Sequence, residues 1–215
     1  MDVPQIWQHV DAQRAGLADL LEGLRPQDWR HDSLCEGWTV RDVAAHLSLA
    51  HMPAREALRW LVRSRFVYGA MIHDSAVALE ATPPEIVARL RSMVGSTARA
   101  PMVTPMEPLL DVLVHTQDIC LPLGIDRVMP PDAAAAAADR VLALNRVPGL
   151  RLRAPVRGVR LEATDTDWAR TPGRPSDAST QVPVVRGQMR WLLLAVAGRR
   201  AALDRLTGAR ELLAV

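Results

Sequence analysis

The chain has 215 residues, of which 49% are hydrophobic. This composition is enough to build a packed core and argues against a disordered chain. All 26 basic residues are arginine, and the formal net charge is only +2. Because the arginines are scattered and the sequence contains a single Tyr and a single Phe, nucleic acid is not expected as a partner.

The sequence also argues against a membrane or exported protein. Its longest apolar run, Trp191 to Ala197, is too short to span a bilayer, and the residues after Met1 lack the basic and apolar regions of an export signal. The two cysteines, Cys35 and Cys120, have no CxxC spacing, so a disulfide framework is not expected. We therefore predict a cytoplasmic protein with no membrane partner.

Hydrophobic residues recur at three-to-four spacing through the first 145 residues, which predicts a mainly α-helical first domain. Residues 64–81 are predicted as a mixed loop and short helix. The first predicted helix runs from Asp2 to Arg25. The second begins at a capping box at Thr39–Asp42, bends or restarts near Pro53 and reaches about Arg63. The remaining ones run from Thr82 to Gly95, from Thr104 to Leu121 and, as an Ala-rich helix, from a cap at Asp132 to Leu144.

From about residue 146 the composition changes, which predicts a second, small α+β domain over 146–215. Val159–Ala163 has the alternation of a strand, and Asp165–Pro183 is rich in turn-forming residues. Arg186–Leu206 is predicted to be helical, with Met189 among the residues of its apolar face.

Two charged residues interrupt the apolar helix that contains Leu109–Cys120. Asp111 and His115 are four residues apart, so their side chains lie on one face of the helix and can bind the same cation. Burying both without a partner would cost free energy, which a divalent ion would offset. An alternative is that Asp111 pairs with an arginine and that His115 is a hydrogen-bonded core residue.

A third ligand is expected from a neighbouring helix, and His46 is the best candidate because it also interrupts an apolar stretch. Two imidazoles and one carboxylate leave an open coordination position, as in catalytic zinc sites and some iron sites. Glu107 is an alternative carboxylate ligand, whereas Asp118 is expected to hydrogen-bond to a ligand.

Two segments carry a family resemblance. Ser33–His46, with its Gly-Trp-Thr-Val-Arg-Asp core, and Asp111–Asp118 resemble the DinB-like superfamily, specifically its mycothiol-dependent maleylpyruvate isomerase branch. The resemblance spans roughly residues 5–145 and implies a four-helix bundle. The tail, including Leu161–Trp168, resembles the small C-terminal domain of the same branch, whose fold is similar to that of sterol carrier proteins.

The same resemblance implies that His46, Asp111 and His115 are metal ligands. Relatives use Glu where this chain has Asp111, a shorter carboxylate that affects metal preference and affinity. The implied cofactors are a divalent metal, zinc by the chemistry of the site, and mycothiol as the thiol cosubstrate. Arg199 is a weaker candidate for holding an anionic substrate, with solvated surface as the alternative.

Three functions follow as expectations, and the first is favoured. In the first, the metal holds a low-molecular-weight thiol as its thiolate, which attacks a small electrophilic substrate in a transfer or isomerisation reaction. In the second, the bundle binds a metal, thiol or apolar ligand without turnover. In the third, the chain is an interaction protein in which the histidines only pack.

The expected partners are small molecules, and the chain is expected to be a monomer or a homodimer. Cys35, in the loop before the second helix, is interpreted as a packing residue or one that is simply tolerated, with a reactive thiol as the alternative.

Overall fold

The structure is a computed structural model in which two compact units are distinguished. The first unit spans Asp2–Arg127, and the second comprises Met1 and Val128–Val215. The residues that it describes are 1–100, 103–146, 156–173 and 182–213.

Six α-helices lie in the described part of the first unit. A short 3-10 helix, Asp28–Arg30, lies in the loop between the first two of them. The helices are α1 (Val3–Glu22), α2 (Val40–Ser48), α3 (Ala54–Arg63), α4 (Tyr68–Val77), α5 (Pro83–Ser92) and α6 (Met106–Cys120).

Side-chain caps fix where three of these helices, α1, α2 and α5, begin. Before α2, the Thr39 hydroxyl accepts a hydrogen bond from the Asp42 backbone N–H at 3.3 Å, and the Asp42 carboxylate accepts from the Thr39 N–H at 3.0 Å. The same reciprocal pair, formed by Thr82 and Glu85, begins α5. Each pair satisfies backbone donors that have no partner within the helix. Both helix starts are as the sequence predicted.

Four of the helices form a bundle around an apolar core. α1 and α2 each pack against α5 and α6, while α4 packs against α2 and α3. The helix α3 has no buried residue, so it does not contribute to the core. Fully buried core side chains come from several of the helices and include Leu17, Val43, Ile86, Leu90, Val112 and Ile119.

The second unit combines helices with a small sheet. Among the described residues the sheet has four strands in the order β2-β1-β3-β4, with β1 and β3 parallel and both edge pairs antiparallel. The helix α8 packs against β1, β3 and α7. The elements are α7 (Pro131–Leu144), β1 (Arg160–Ala163), β2 (Ala169–Arg170), β3 (Val184–Gly187), α8 (Met189–Val196), a 3-10 helix (Arg200–Arg205), β4 (Thr207–Gly208) and a 3-10 helix (Arg210–Leu213).

The prediction of one helix over Arg186–Leu206 is wrong at both ends. Arg186 belongs to β3, where it lies opposite Glu162 of β1 in the parallel register. The helix α8 stops before Gly198, whose φ of +95° lies in the region that favours glycine. The residues after it form a 3-10 helix.

The cap predicted at Asp132 is also wrong. Pro130 is the N-cap of α7 and Pro131 its first residue, so Asp132 lies in the first turn, where a carboxylate still interacts favourably with the helix dipole. Residues 147–155 and 174–181, which include the predicted change in composition and much of the turn-rich stretch, lie outside the described residues.

The division of the chain into units falls after Arg127, because α7 packs against α8. The predicted boundary between 145 and 146 coincides with the end of α7 and stays a prediction. Within the described ranges, every helix is too short or too polar to cross a bilayer.

We expect Leu17→Ala to lower the free energy of unfolding by about 2–5 kcal/mol, because it removes a fully buried side chain from the bundle core. Leu58→Ala is the matched control, since Leu58 is 58% exposed on α3 and its truncation should change stability by less than about 0.5 kcal/mol. Urea unfolding followed by circular dichroism measures both. Equal effects of the two substitutions would contradict the assignment of the core.

Candidate metal centre

Asp111 and His115 lie on one face of α6, a helix whose other residues are mostly buried. Ten of its residues are buried, whereas Asp111 and His115 are half-buried. Their spacing of four residues places both side chains on one face, one turn apart. The buried residues around them hold this face in place within the bundle.

The helix α2 supplies the third residue. His46 lies in its last turn and is half-buried, and α2 packs directly against α6. The rings of His46 and His115 meet edge to face, with centroids 4.9 Å apart and an interplanar angle of 81°. The packing of these two helices therefore brings together two histidines that are far apart in the sequence.

One ligand atom from each of His46, Asp111 and His115 lies within 4.8 Å of the other two. A tetrahedral zinc ion, with bonds of about 2.0–2.3 Å, holds its ligands roughly 3.3–3.6 Å apart. Because no pair of these atoms is more than 4.8 Å apart, each distance has to shorten by at most roughly 1.5 Å to reach that spacing. Two imidazoles and one carboxylate form a donor set that fits such an ion and leaves one position open.

A buried carboxylate orients His115. Asp118 lies one turn further along α6, its side chain is fully buried, and its Oδ2 is 2.9 Å from His115 Nδ1. A histidine that donates from one ring nitrogen to a carboxylate presents the other nitrogen to a metal. This hydrogen bond directs Nε2 of His115 away from Asp118, as the sequence analysis expected for Asp118.

Cys35 also contacts this pair, which the sequence analysis did not predict. Its Sγ lies 3.2 Å from Asp118 Oδ2 and 3.6 Å from His115 Nδ1. The cysteine lies in a tight turn closed by a hydrogen bond from the Trp38 N–H to the Cys35 carbonyl, with Gly37 at a φ of +77°. The interpretation of Cys35 as a packing residue of the loop is therefore incomplete.

The two histidines have opposite pKa shifts. Burial and the neighbouring charge of His115 lower the pKa of His46 to about 3. Burial also lowers the pKa of His115, but hydrogen bonds to Asp118 and Cys35 outweigh it and raise the pKa to about 10. Without a metal, His46 is therefore neutral near pH 7 and His115 is protonated, so a cation that binds both must displace a proton from His115.

Aromatic side chains lie next to these three residues. The Trp38 ring meets His46 edge to face at 5.6 Å and lies 5.9 Å from the ring of His73 on α4. At the start of α4, desolvation and the charges of Asp111 and Glu107 raise the pKa of Tyr68. The α2, α4 and α6 helices therefore all contribute side chains around the site.

Two further residues singled out in the sequence lie elsewhere or have other contacts. Glu107 accepts a hydrogen bond from the Thr104 backbone N–H at 2.8 Å, and its alternative role as a carboxylate ligand stays a prediction. Arg199 belongs to the second unit, where its Nη1 donates to the Ala197 carbonyl at 2.7 Å. Its predicted role in holding an anion stays a prediction.

One known family is similar to a part of the first unit. Residues 10–100 match the family model of the mycothiol maleylpyruvate isomerase N-terminal domain. The resemblance to this branch is confirmed. The matched range contains His46 and ends before α6, which carries Asp111 and His115.

Two solved structures are similar to nearly the whole chain. One is the mycothiol-dependent maleylpyruvate isomerase, with a TM-score of 0.64 at 15% identity, and the other is a mutant of that enzyme, with a TM-score of 0.65 at 14% identity. Each comparison covers 97% of this chain and 93% of the other. At this identity the likeness concerns the fold, which is mainly α with a helical bundle and a small sheet near the C-terminus, as predicted. Comparison with curated proteins gave no match.

We expect the two thiols to differ in reactivity toward iodoacetamide. Cys120 is fully buried and desolvation raises its pKa to about 11, whereas Cys35 is half-buried. Because the thiolate is the reacting species, Cys35 in the folded, metal-free protein should be alkylated at least about tenfold faster than Cys120. Peptide mass spectrometry after timed quenching measures both rates.

Cys35→Ser is the control, and it should leave the folded protein almost unreactive, with Cys120 reacting only in denaturant. Similar rates for both thiols in the folded protein would contradict this assignment.

Proposed function

We propose that this protein is a metal-dependent enzyme that uses mycothiol as a nucleophile toward a small electrophilic substrate. The observation that carries the proposal is the cluster of His46, Asp111 and His115, whose ligand atoms lie within 4.8 Å of one another. The match of residues 10–100 to the mycothiol maleylpyruvate isomerase N-terminal domain supports the choice of thiol. A cytoplasmic location, as predicted from the sequence, is part of this proposal.

In this proposal His46, Asp111 and His115 hold a divalent ion, zinc by the chemistry of the donor set. When bound, such an ion lowers the pKa of a coordinated thiol, so that the thiolate exists at neutral pH without a separate base. Asp118 keeps His115 in the orientation that presents Nε2 to the ion. Trp38 packs on His46 and limits the rotation of its ring.

Because the matched family model is that of an isomerase domain, the proposed reaction is the isomerisation of a double bond conjugated to a carbonyl group. The thiolate adds to one alkene carbon, the former double bond becomes a single bond and rotates, and elimination returns the thiolate with the geometry of the alkene changed. The thiol is not consumed, so it acts as a cosubstrate in catalytic amounts. If the enolate formed by the addition takes a proton from solvent before elimination, the reaction is instead a transfer of the thiol to the substrate.

A direct test loads metal-free protein, purified without a His-tag, with zinc and measures turnover of maleylpyruvate in the presence of mycothiol. We expect the wild type to bind one zinc per chain and to convert the substrate only when both zinc and thiol are present. His46→Ala removes one of three ligands and should lower zinc affinity by more than about 100-fold and abolish thiol-dependent turnover. Elemental analysis and product formation are the two measurements.

His31→Ala is the matched control, because His31 is an exposed histidine in the loop before α2; it should retain zinc and activity. Zinc and mycothiol binding without turnover of either maleylpyruvate or a generic electrophile would instead identify a binding protein of the same fold. Wild-type protein that binds no zinc would contradict the metal centre.

The hydrogen bond between Asp118 and His115 predicts a graded effect. Asp118→Asn removes the charge but not the size of the side chain, so it should weaken zinc affinity by about 10–100-fold while the fold is kept. Competition with a chromogenic chelator measures the affinity. Asp19→Asn, at an exposed ion pair with Arg91 on the bundle surface, should leave zinc affinity unchanged, and a loss equal to that of Asp118→Asn would refute the orienting role.

A further inference from the structure

A second group of donor atoms shares His115 with the group formed by His46 and Asp111. We propose that Cys35, His115 and Asp118 form a second metal-binding set that takes a thiophilic divalent ion such as cadmium or zinc. One ligand atom from each of these residues lies within 4.8 Å of the other two. The inference goes beyond the proposed function, which uses neither the Cys35 thiol nor the Asp118 carboxylate as a ligand.

The spacing of the three atoms fits a single ion. The Cys35 Sγ is 3.6 Å from His115 Nδ1 and 3.2 Å from Asp118 Oδ2, and the latter two atoms are 2.9 Å apart. A tetrahedral ion with a metal–sulfur bond of about 2.3 Å and metal–nitrogen and metal–oxygen bonds of about 2.0–2.1 Å requires separations of roughly 3.3–3.6 Å. The three atoms therefore need to move apart by about half an ångström at most.

The backbone holds the thiol in place. The Leu34 N–H donates to the backbone carbonyl of Asp118 at 3.1 Å, which ties the loop to α6 beside the carboxylate. The Ser33 hydroxyl accepts from the Cys35 N–H at 3.1 Å and donates to the Trp38 carbonyl at 2.8 Å. Because both sides of the turn are fixed, the contact between Cys35 and Asp118 does not depend on a freely moving loop.

Binding of a divalent ion leaves the net charge of this set unchanged, because the ion replaces two protons. The Asp118 carboxylate is fully buried, and a buried anion is costly unless hydrogen bonds or a cation compensate it. An ion bound at this set takes the place of the thiol proton of Cys35 and of the proton on His115 Nδ1, and both protons pass to solvent. The products are a thiolate, a neutral imidazole and a carboxylate around one divalent ion.

The sulfur determines which ions this set prefers. A thiolate binds soft and borderline ions such as cadmium and zinc in preference to magnesium or calcium. The set formed by His46, Asp111 and His115 has no sulfur, so binding at the second set has a spectroscopic signature of its own. An ion on Nδ1 also removes the hydrogen bond that His115 donates to Asp118.

The test is a titration of metal-free protein with cadmium chloride, followed by the thiolate-to-cadmium charge-transfer absorption in the near ultraviolet. We expect the absorption to appear in the wild type and in Cys120→Ser, which removes the other thiol. His46→Ala disrupts only the first set and should keep the absorption, saturating at one cadmium per chain. Cys35→Ser should lose it, with cadmium affinity at this set weakened by more than about 100-fold.

Alkylation of the wild type gives a readout that requires no substitution. Cadmium should slow the reaction of Cys35 with iodoacetamide at least about tenfold, whereas magnesium should not. Absorption that persists in Cys35→Ser, absorption that vanishes in His46→Ala, or alkylation unchanged by cadmium would each overturn the proposal. None of these readouts uses turnover, so failure of the thiol-dependent activity and failure of this second set are distinguishable.

Discussion

The packing of α2 against α6 is the contact on which the candidate centre depends. It places the ring of His46 edge to face on that of His115, with centroids 4.9 Å apart, although 69 residues separate them along the chain. Ala44 and Ala45 beside His46 are fully buried, and small side chains allow helices to approach closely. The capping box at Thr39 fixes the start of α2 and hence the turn on which His46 lies.

Burying polar groups in this way carries an energetic cost that the surrounding contacts must offset. Asp118 is fully buried on a helix whose other residues are mostly apolar, and an unpartnered carboxylate there would be strongly destabilising. The imidazole of His115 and the thiol of Cys35 both contact its Oδ2. These charge-assisted contacts are stronger than neutral ones, and they hold three potential ligands in fixed positions before any ion binds.

Local signals in the sequence predicted much of this arrangement. The capping boxes before α2 and α5 depend on residues three apart, and the Asp111–His115 pair depends on one helical turn, so both could be read from spacing. The contact of Cys35 with α6 could not, because it depends on a hydrogen bond between residues 34 and 118. The strand Val184–Gly187 was also missed, because its partner β1 lies more than 20 residues earlier in the chain and local spacing does not reveal such a pairing.

His115 belongs to both donor sets, so in the two proposals it is the residue that would distinguish between ions. One set combines two imidazoles with a carboxylate, and the other combines a thiol, an imidazole and a carboxylate. Because the first set lies within 4.8 Å even with aspartate at position 111, the shorter carboxylate still reaches the histidines. An ion held through Nε2 keeps the hydrogen bond from Nδ1 to Asp118, whereas a thiophilic ion at Nδ1 replaces it. The ring nitrogen used by the ion therefore determines whether Asp118 orients the site or becomes part of it.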